Sequence, residues 1–340
     1  MLGAQTLLDA AAKADPGGKT VDIVNMMTMT NEILLDALWV EANNKTSHRT
    51  TVLTGLPNAS WTRLYTGPQP SKSTRVAITD TAGRLEVENM VERELLKLAD
   101  NPAEFRITEA SAATEAMSQE MATQLFYGAE ADHPEIFNGL SIRYNDLSAP
   151  SGRNIIDAGG TGTDNTSIWL ITWGAGTTHL FYPQNTQAGI EHVPLEDQRV
   201  SDGSGGTYLA AVDRFIWRCG LSVRDWRRNA RIANIDVSNL GGAGAANLID
   251  LMIDACYKLP TTNGRITGTQ VTDDPNIQGL MGQPVFYANS TVLAALDKQA
   301  RSANNVYLTV REVDGRPMTM FRGIPIRRCD ALLDTEAQVT

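Results

Sequence analysis

The longest helical pattern in the chain covers residues 104–127. Asn101-Pro102 precedes the segment, and Gly128 follows it where a left-handed cap residue is expected. The pattern predicts one amphipathic helix about 35 Å long, whose narrow Ala and Met stripe lets another element lie close. The apolar residues that share one face of this helix are Ile107, Ala110, Ala113, Met117, Met121 and Leu125.

Two stretches carry strong β patterns. From Phe215 to Arg224 apolar residues alternate strictly with other residues, which predicts a long strand with one buried face. The run Ile168–Trp173 follows glycine-rich turns and predicts a buried strand. The C-terminal third predicts a compact α/β unit, with helices over 244–259 and 291–300, a cap at Asn289-Ser290, and strands over 283–287, 306–311, 318–321 and 324–327.

Residues 45–92 differ from the rest of the chain, being rich in Thr, Arg, Gly and Pro. Alternating segments at 74–79 and 85–88 lie between and around two turn regions, 67–70 and 80–83, and predict long β-hairpins with a thin apolar stripe. A hairpin that buries so little is marginally stable by itself. We therefore favour an extended arm that packs on a neighbouring subunit over a hairpin that lies on its own domain.

Composition and charge narrow the possible functions. The chain has 340 residues, 42% of them hydrophobic and 20% charged, so a folded protein with two or more subdomains is expected. The net charge of −10 argues against a broad nucleic-acid-binding surface. Residues 224–231 are the local exception, because their four arginines could contact DNA phosphate. Ion pairs with carboxylates, between subunits or within the sheet, are the interpretation we favour.

Candidate chemistry is sparse. Cys219, Cys256 and Cys329 are far apart, which predicts buried free thiols instead of disulfides or a zinc site. The four histidines show no metal-binding spacing, and the 160–162 glycine turn lacks the rest of a phosphate loop. We therefore predict no catalytic, cofactor or metal site. The chain shows neither a signal-peptide pattern nor an apolar run of about 18 residues, and we expect a protein of cytosolic origin that does not enter a membrane.

Several strings together resemble one family. They are TNEILLDALWVEANNKTSHRTTVLTGLP with Trp61, QEMATQLFYG, NIIDAGGTGTDNTSIWLITWG and CGLSVRDWRRNARIANID. These strings are similar to major capsid proteins of tailed double-stranded-DNA bacteriophages, and the resemblance extends roughly from residue 5 to residue 330. It rests on its extent, since none of the strings is a catalytic signature.

The resemblance implies the Hong Kong 97-type capsid fold, an α+β architecture. Its expected parts are an N-terminal arm (1–45), an extended loop (46–92), a peripheral domain (93–158) with a spine helix (104–127), a central β region (159–237), an axial domain (238–320) and a C-terminal strand and tail (321–340).

A structural, non-enzymatic role is also implied. Subunits of this kind form pentamers and hexamers that close an icosahedral head around double-stranded DNA without sequence-specific binding. Expected partners are a separate scaffolding protein, a portal protein and, as a further candidate, a decoration protein. Assembly would take place in the bacterial host cytoplasm, and the protein would reside in the virion. Lys72 lies in the extended loop, but we do not expect autocatalytic cross-linking. The candidate inter-subunit contact residues are Arg49, Trp61, Arg63, Lys72, Arg75, Arg84, Glu86, Glu88, Arg224, Arg227, Arg228 and Arg231.

Three other interpretations remain at this stage. One is a bacterial nanocompartment shell of the same fold. The others are an α/β enzyme with no recognisable site and an oligomeric tail or adhesin protein. Region 46–92 discriminates a shell from a monomeric enzyme, because only a shell protein needs this region to reach a neighbour.

Overall fold

A computed structural model of the chain describes residues 31–67, 69–98, 101–201, 205–242, 244–260, 282–302, 308–313 and 316–340. The helices in these ranges are α1 (Ile33–Asp36), α2 (Arg93–Leu98), α3 (Pro102–Tyr127), α4 (Leu140–Arg143), α5 (Leu248–Lys258) and α6 (Ser290–Ser302). The strands are β1 (Trp39–Glu41), β2 (Ser47–Gly55), β3 (Thr74–Thr81), β4 (Gly83–Glu92), β5 (Ile155–Asp157), β6 (Asn165–Trp173), β7 (Thr178–Tyr182), β8 (Ile190–Ser201), β9 (Thr207–Val223), β10 (Ala230–Asp236), β11 (Gln283–Ala288), β12 (Leu308–Val313), β13 (Arg316–Phe321) and β14 (Ile324–Arg328).

The long strand β9 joins the two parts of the main sheet. Its first two thirds pair antiparallel with β4 on one side and β8 on the other. Its last residues pair antiparallel with β7, from Gly220 to Val223. Beyond β7, strand β6 pairs antiparallel with both β10 and β11, and β11 pairs parallel with β14. The hairpin β2–β3 forms a separate two-stranded sheet.

Strand β6 explains where the two cores lie, because every one of its residues is buried. Successive side chains of a strand point to opposite faces. Accordingly, Trp169 and Ile171 belong to a core that includes the second half of α3, whereas Ile168 and Leu170 belong to a core that includes α5 and α6. The sheet is therefore covered by helices on both faces here. This arrangement confirms the predicted buried strand.

Helix α3 confirms the predicted long helix but buries only part of the predicted stripe. Asn101 begins it, because its side chain accepts a hydrogen bond from the Glu104 N–H at 3.4 Å. Met117, Met121 and Leu125 are fully buried, whereas Ile107 is 69% exposed. The N-terminal half instead packs on the sheet through Phe105, which is buried with Val91 of β4 and Ala211 of β9, and it leaves Ile107 on the surface.

The expected left-handed cap at Gly128 is wrong, because its backbone angles are φ −53° and ψ 134°. A Cβ atom at this position would collide with the carbonyl oxygens of Gln124 and Phe137. The Gly139 N–H also donates to the Gly128 carbonyl oxygen at 2.8 Å. Glycine thus allows the returning chain to cross the end of the helix closely.

The turn region predicted at 80–83 does not close a hairpin between the segments 74–79 and 85–88. Both segments are strands, but β3 pairs with β2, and β4 pairs with β9 over ten residue pairs. The chain between them does not turn back as a hairpin. It passes from an isolated ribbon directly into the main sheet, so residues 83–92 belong to the body of the subunit.

Strand β9 is longer than predicted and is buried on both faces near its end. Gly220 lies on the face expected to be exposed, and the Phe181 ring of β7 fills the space above it. The predicted alternation is present in the sequence, but side chains from neighbouring strands cover the second face. Only Arg214 and Arg218 keep partial exposure along residues 210–223.

The substitution Gly220→Ala is expected to destabilise the subunit by about 1–3 kcal/mol, because a methyl group there would overlap the Phe181 ring. The urea midpoint of the unassembled chain measures this loss. The matched control is Gly67→Ala, where nothing lies within 4 Å of the added carbon. Equal midpoints for the two variants would contradict the contact between Gly220 and Phe181.

The C-terminal predictions largely hold. Asn289 begins α6 by accepting a hydrogen bond from the Val292 N–H at 2.9 Å, and β11 and β14 lie where the pattern placed them. The sequence also predicts a turn at Asp314-Gly315 between two of these strands, and that turn falls outside the described residues. All three cysteines are free and buried, as predicted. Burial raises the pKa of Cys256 to about 11 and that of Cys329 to about 12.

Candidate functional site

The β2–β3 hairpin is the most exposed part of the described chain. None of the described residues between 51 and 79 is buried. At the tip, Trp61 and Tyr65 are fully exposed, and Leu64 is 91% exposed. Large apolar side chains in solvent mark a surface that another molecule covers. A nine-residue strand such as β2 spans about 30 Å, so the tip can reach well beyond its own subunit.

The charge of the hairpin is opposite to that of the chain as a whole. Between residues 49 and 79 there are four basic side chains and no acidic one, while the chain carries a net charge of −10. The four are Arg49, Arg63, Lys72 and Arg75, and all are exposed. The ribbon is therefore basic with an apolar tip, whereas the chain as a whole is acidic. These four residues and Trp61, all predicted contact residues, therefore lie together on one projecting element.

The base of the hairpin is anchored to the body. Asp80, at the end of β3, accepts a hydrogen bond from Arg143 Nη2 at 2.8 Å, and the same nitrogen lies 3.2 Å from the Leu221 carbonyl oxygen. Asn43 makes two hydrogen bonds with the backbone of Arg49, at 2.6 and 2.9 Å. The ribbon is thus fixed at its base and free along its length.

The three candidates on β4 lie in the main sheet and not on the ribbon. Glu86 forms ion pairs with Arg84 and with Arg214 of β9. Glu88 is exposed and lies opposite Arg214 in the pairing register. Glu86 is therefore satisfied within its own subunit, while Arg84 and Glu88 keep exposed surface.

The arginines around the Trp226–Arg228 turn make mainly local contacts. Arg224 Nη1 donates to the Ala175 carbonyl oxygen at 2.9 Å. Arg227, 62% of whose side chain is exposed, pairs with Asp225 at 2.9 Å. Arg228 lies 3.9 Å from the same carboxylate. Arg227 is the most accessible of these side chains.

Arg231 lies in the interior, with only 4% of its side chain exposed. Its guanidinium pairs with Glu336 at 2.9 Å, donates to Ser167 Oγ and lies over the Trp169 ring. The hydroxyl of Tyr127 also donates to Glu336. Arg231 therefore fixes the C-terminal tail inside the subunit.

Sequence reasoning missed some exposed apolar residues. Leu56, Leu64 and Tyr65 lie on the hairpin, and Leu35 and Ile107 on the body. The run LPNASWTRLY carries the signal for the first three, since it places four large apolar side chains in a polar segment that offers them no core.

Other kinds of site find no support in the described ranges. No group of three or more His, Cys, Asp and Glu side chains there could hold a metal ion. No helix among them is both long and apolar enough to cross a membrane.

Comparison with known proteins decides the family. The family model described as Major capsid protein GP7 matches residues 15–340. The chain belongs to this family of major capsid proteins. It is 35% identical to a chain in the cryo-EM structure of bacteriophage Epsilon15, with a TM-score of 0.74, over 99% of this chain and 98% of that one. The comparison with curated proteins gives no match.

More distant solved structures include a chain of Mycobacterium phage Adephagia, at 13% identity and TM-score 0.42 over 64% of this chain and 92% of that one. Another is an encapsulin complex from Synechococcus elongatus, at 11% identity and TM-score 0.46 over 68% and 97%.

Three earlier expectations are confirmed by the family and the Epsilon15 match. The fold is the Hong Kong 97-like α+β fold, the protein is a phage major capsid protein, and it is a structural component of the virion that assembles with copies of itself into a multimeric shell. The same two matches favour a phage capsid protein over a nanocompartment shell.

Proposed function

We propose that this capsid protein assembles as pentamers and hexamers into a closed icosahedral head around double-stranded DNA, and that the β2–β3 hairpin of each subunit lies on a neighbour. The single observation that carries the hairpin's role is that no described residue from 51 to 79 is buried in the subunit, although the tip is apolar. A two-stranded ribbon of this kind gains its stability from a surface outside itself.

The proposed division of the chain follows the expected one with a changed boundary. The arm (1–45), peripheral domain (93–158), central β region (159–237), axial domain (238–320) and C-terminal tail (321–340) are kept. The extended loop is proposed as 47–81, because β4 pairs with β9 along its whole length.

Several partners belong to the same proposal. A separate scaffolding protein guides assembly in the host cytoplasm, a portal protein occupies one vertex, and a decoration protein is a further candidate. The subunit performs no catalysis. DNA is enclosed without sequence-specific contacts, because a chain with a net charge of −10 gains little from binding phosphate.

The proposed contact residues are the exposed ones. They are Arg49, Trp61, Arg63, Lys72 and Arg75 on the hairpin, Arg84 and Glu88 on β4, and Arg227 beside β10.

Substitution of Trp61 by Ser tests the hairpin contact. The side chain touches little in the subunit, so the free energy of unfolding is expected to change by less than about 0.5 kcal/mol. The protein concentration needed for shell assembly is expected to rise at least ~10-fold, because buried aromatic anchors dominate interface energies.

Light scattering against protein concentration measures that threshold. The conservative variant Trp61→Phe keeps an aromatic anchor and is expected to assemble close to the wild-type threshold. A Trp61→Ser protein that assembles at the wild-type threshold would refute a role for this side chain at the contact.

A further inference from the structure

A polar cluster lies where the hairpin meets the body. His48, near the start of β2, packs its ring edge to face with His179 of β7, at 5.4 Å between centroids, and against Phe181 at 5.2 Å. Asp80 of β3 lies opposite His48 in the pairing register. We call His48, Asp80, His179, Arg143 and Arg224 the hairpin junction.

Unsatisfied polar atoms concentrate at this junction. In the described chain, the buried side-chain atoms that lack a hydrogen-bond partner include Asp80 Oδ2, Arg143 Nε and both ring nitrogens of His179. Two neighbouring hydroxyl oxygens also lack a partner. They are Thr50 Oγ1, on β2 two residues after His48, and Ser222 Oγ, on β9 opposite His179. Each such group costs free energy when it is buried without a partner. The hairpin is therefore seated on a surface that is strained in its hydrogen bonding.

The charges that face the two imidazoles are mostly positive. Arg224, which follows β9, lowers the pKa of both histidines, and Asp80 raises both. Arg143 of α4 already pairs with Asp80 at 2.8 Å, so part of that carboxylate is engaged. His48 Nδ1 accepts the Asn43 N–H at 3.4 Å, which is a contact of the neutral ring.

Burial is the largest influence on both rings. It lowers the pKa of His48, with Arg224 acting in the same direction and Asp80 against it. It lowers the pKa of His179 to about 4, with help from His48 and Arg224 and against Asp80 and the Gly174 carbonyl group. That carbonyl group is not in hydrogen-bond geometry with either ring nitrogen.

We propose that the hairpin junction is a proton-sensitive hinge, which seats the hairpin when His48 and His179 are neutral and releases it when they are protonated. The inference rests on the proposed assembly role of the hairpin. Among the described residues, Asp80 is the acidic group that acts on both rings, and it already pairs with Arg143, so the positive charge of two protonated histidines is not balanced at the junction. Lifting the base of β2 would uncover His179 and hydrate its charge.

The direction of the pH dependence follows from the linkage between proton binding and hairpin seating. A base with a lowered pKa in the seated state binds fewer protons there than in the released state, so seating is strongest above pH 6.5 and weakens as the pH falls towards 4. For His179 alone, the ratio of released to seated hairpins is expected to rise up to ~30-fold between pH 7.5 and pH 5.

Electron-spin distance measurements on the unassembled full-length chain test this hinge. One label at Thr51→Cys reports the hairpin, and one at Glu135→Cys reports the body; both sites are exposed, whereas the three native cysteines are buried. The released population in the distance distribution is expected to grow as the pH falls from 7.5 to 5. Circular dichroism at each pH checks that the body stays folded.

Two variants isolate the histidines. In the double variant His48→Gln/His179→Gln, the ratio of released to seated hairpins is expected to rise less than ~3-fold between pH 7.5 and pH 5. The single variant His48→Gln changes a half-buried position and is expected to reduce the pH-dependent rise by less. It replaces the double variant as the test if the double variant does not fold. The matched control His133→Gln removes an exposed histidine and is expected to behave as wild type.

A pH-independent distance distribution, or an equal rise in the His48→Gln/His179→Gln protein, would overturn the hinge. Sedimentation at pH 7.5 tests the proposed function separately. A chain that responds to pH but never assembles would keep the hinge and refute the assembly role. A chain that assembles but whose hairpin does not respond to pH would refute the hinge and keep the assembly role.

Discussion

A subunit with a shortened hairpin is expected to remain folded and to form no closed shells. Val52 and Val76 are paired in the ribbon, so Leu53–Arg75 can be replaced by Asn-Gly, a sequence that favours a two-residue hairpin turn. None of the described residues removed is buried, while Thr50 and Asp80 at the base are kept. The melting temperature should therefore stay near that of the wild type. Assembly should fail, because each subunit loses the contact that we propose its hairpin makes with a neighbour.

Sedimentation velocity and negative-stain microscopy measure the outcome. The internal control is co-assembly: the shortened subunit keeps the body that receives a neighbour's hairpin, so it should enter mixed shells at low ratios and stop assembly at high ratios. Closed shells at wild-type yield from the shortened protein alone would contradict the role proposed for the hairpin.

The substitution Glu336→Gln is expected to destabilise the subunit by about 3–5 kcal/mol. Among the described residues it removes the acidic group that pairs with Arg231, and both side chains are 4% exposed. Tyr127 and Ser167 also donate to this carboxylate. A buried guanidinium without a counter-charge is far more costly than an exposed one. Urea unfolding of the unassembled chain gives the value.

The control for this substitution is Glu94→Gln, which breaks the exposed pair with Lys97 and should leave the unfolding midpoint within error. The double variant Arg231→Met/Glu336→Leu is expected to lose less stability than Glu336→Gln, since it removes both charges together. An unchanged midpoint in Glu336→Gln would mean that the C-terminal tail does not lie where the structure has it.

Local patterns were sufficient for the elements whose signal lies within one segment. The spine-like helix α3, the buried strand β6 and the cap at Asn289 all follow from side chains within a few residues of one another. The projecting ribbon was predicted by a related argument, since its sequence offers too little apolar surface for a core.

Features that depend on distant residues were not predictable from one sequence. Alternation shows that β4 is a strand, but it does not reveal that Gly83 pairs with Cys219. The same limitation applies to Arg231, which looked like a surface arginine until its partner Glu336, 105 residues away, was in view. His48 and His179 also stand in unrelated sequence contexts, and only the seating of the hairpin brings their rings together.

The most direct test of the central claim is a cryo-EM map of particles formed by the full chain, at a resolution that shows side chains. We expect a closed icosahedral shell in which each 47–81 hairpin lies on an adjacent subunit, with Trp61 buried at that contact. Shells in which the hairpin folds back onto its own subunit, or Trp61 stays in solvent, would contradict it.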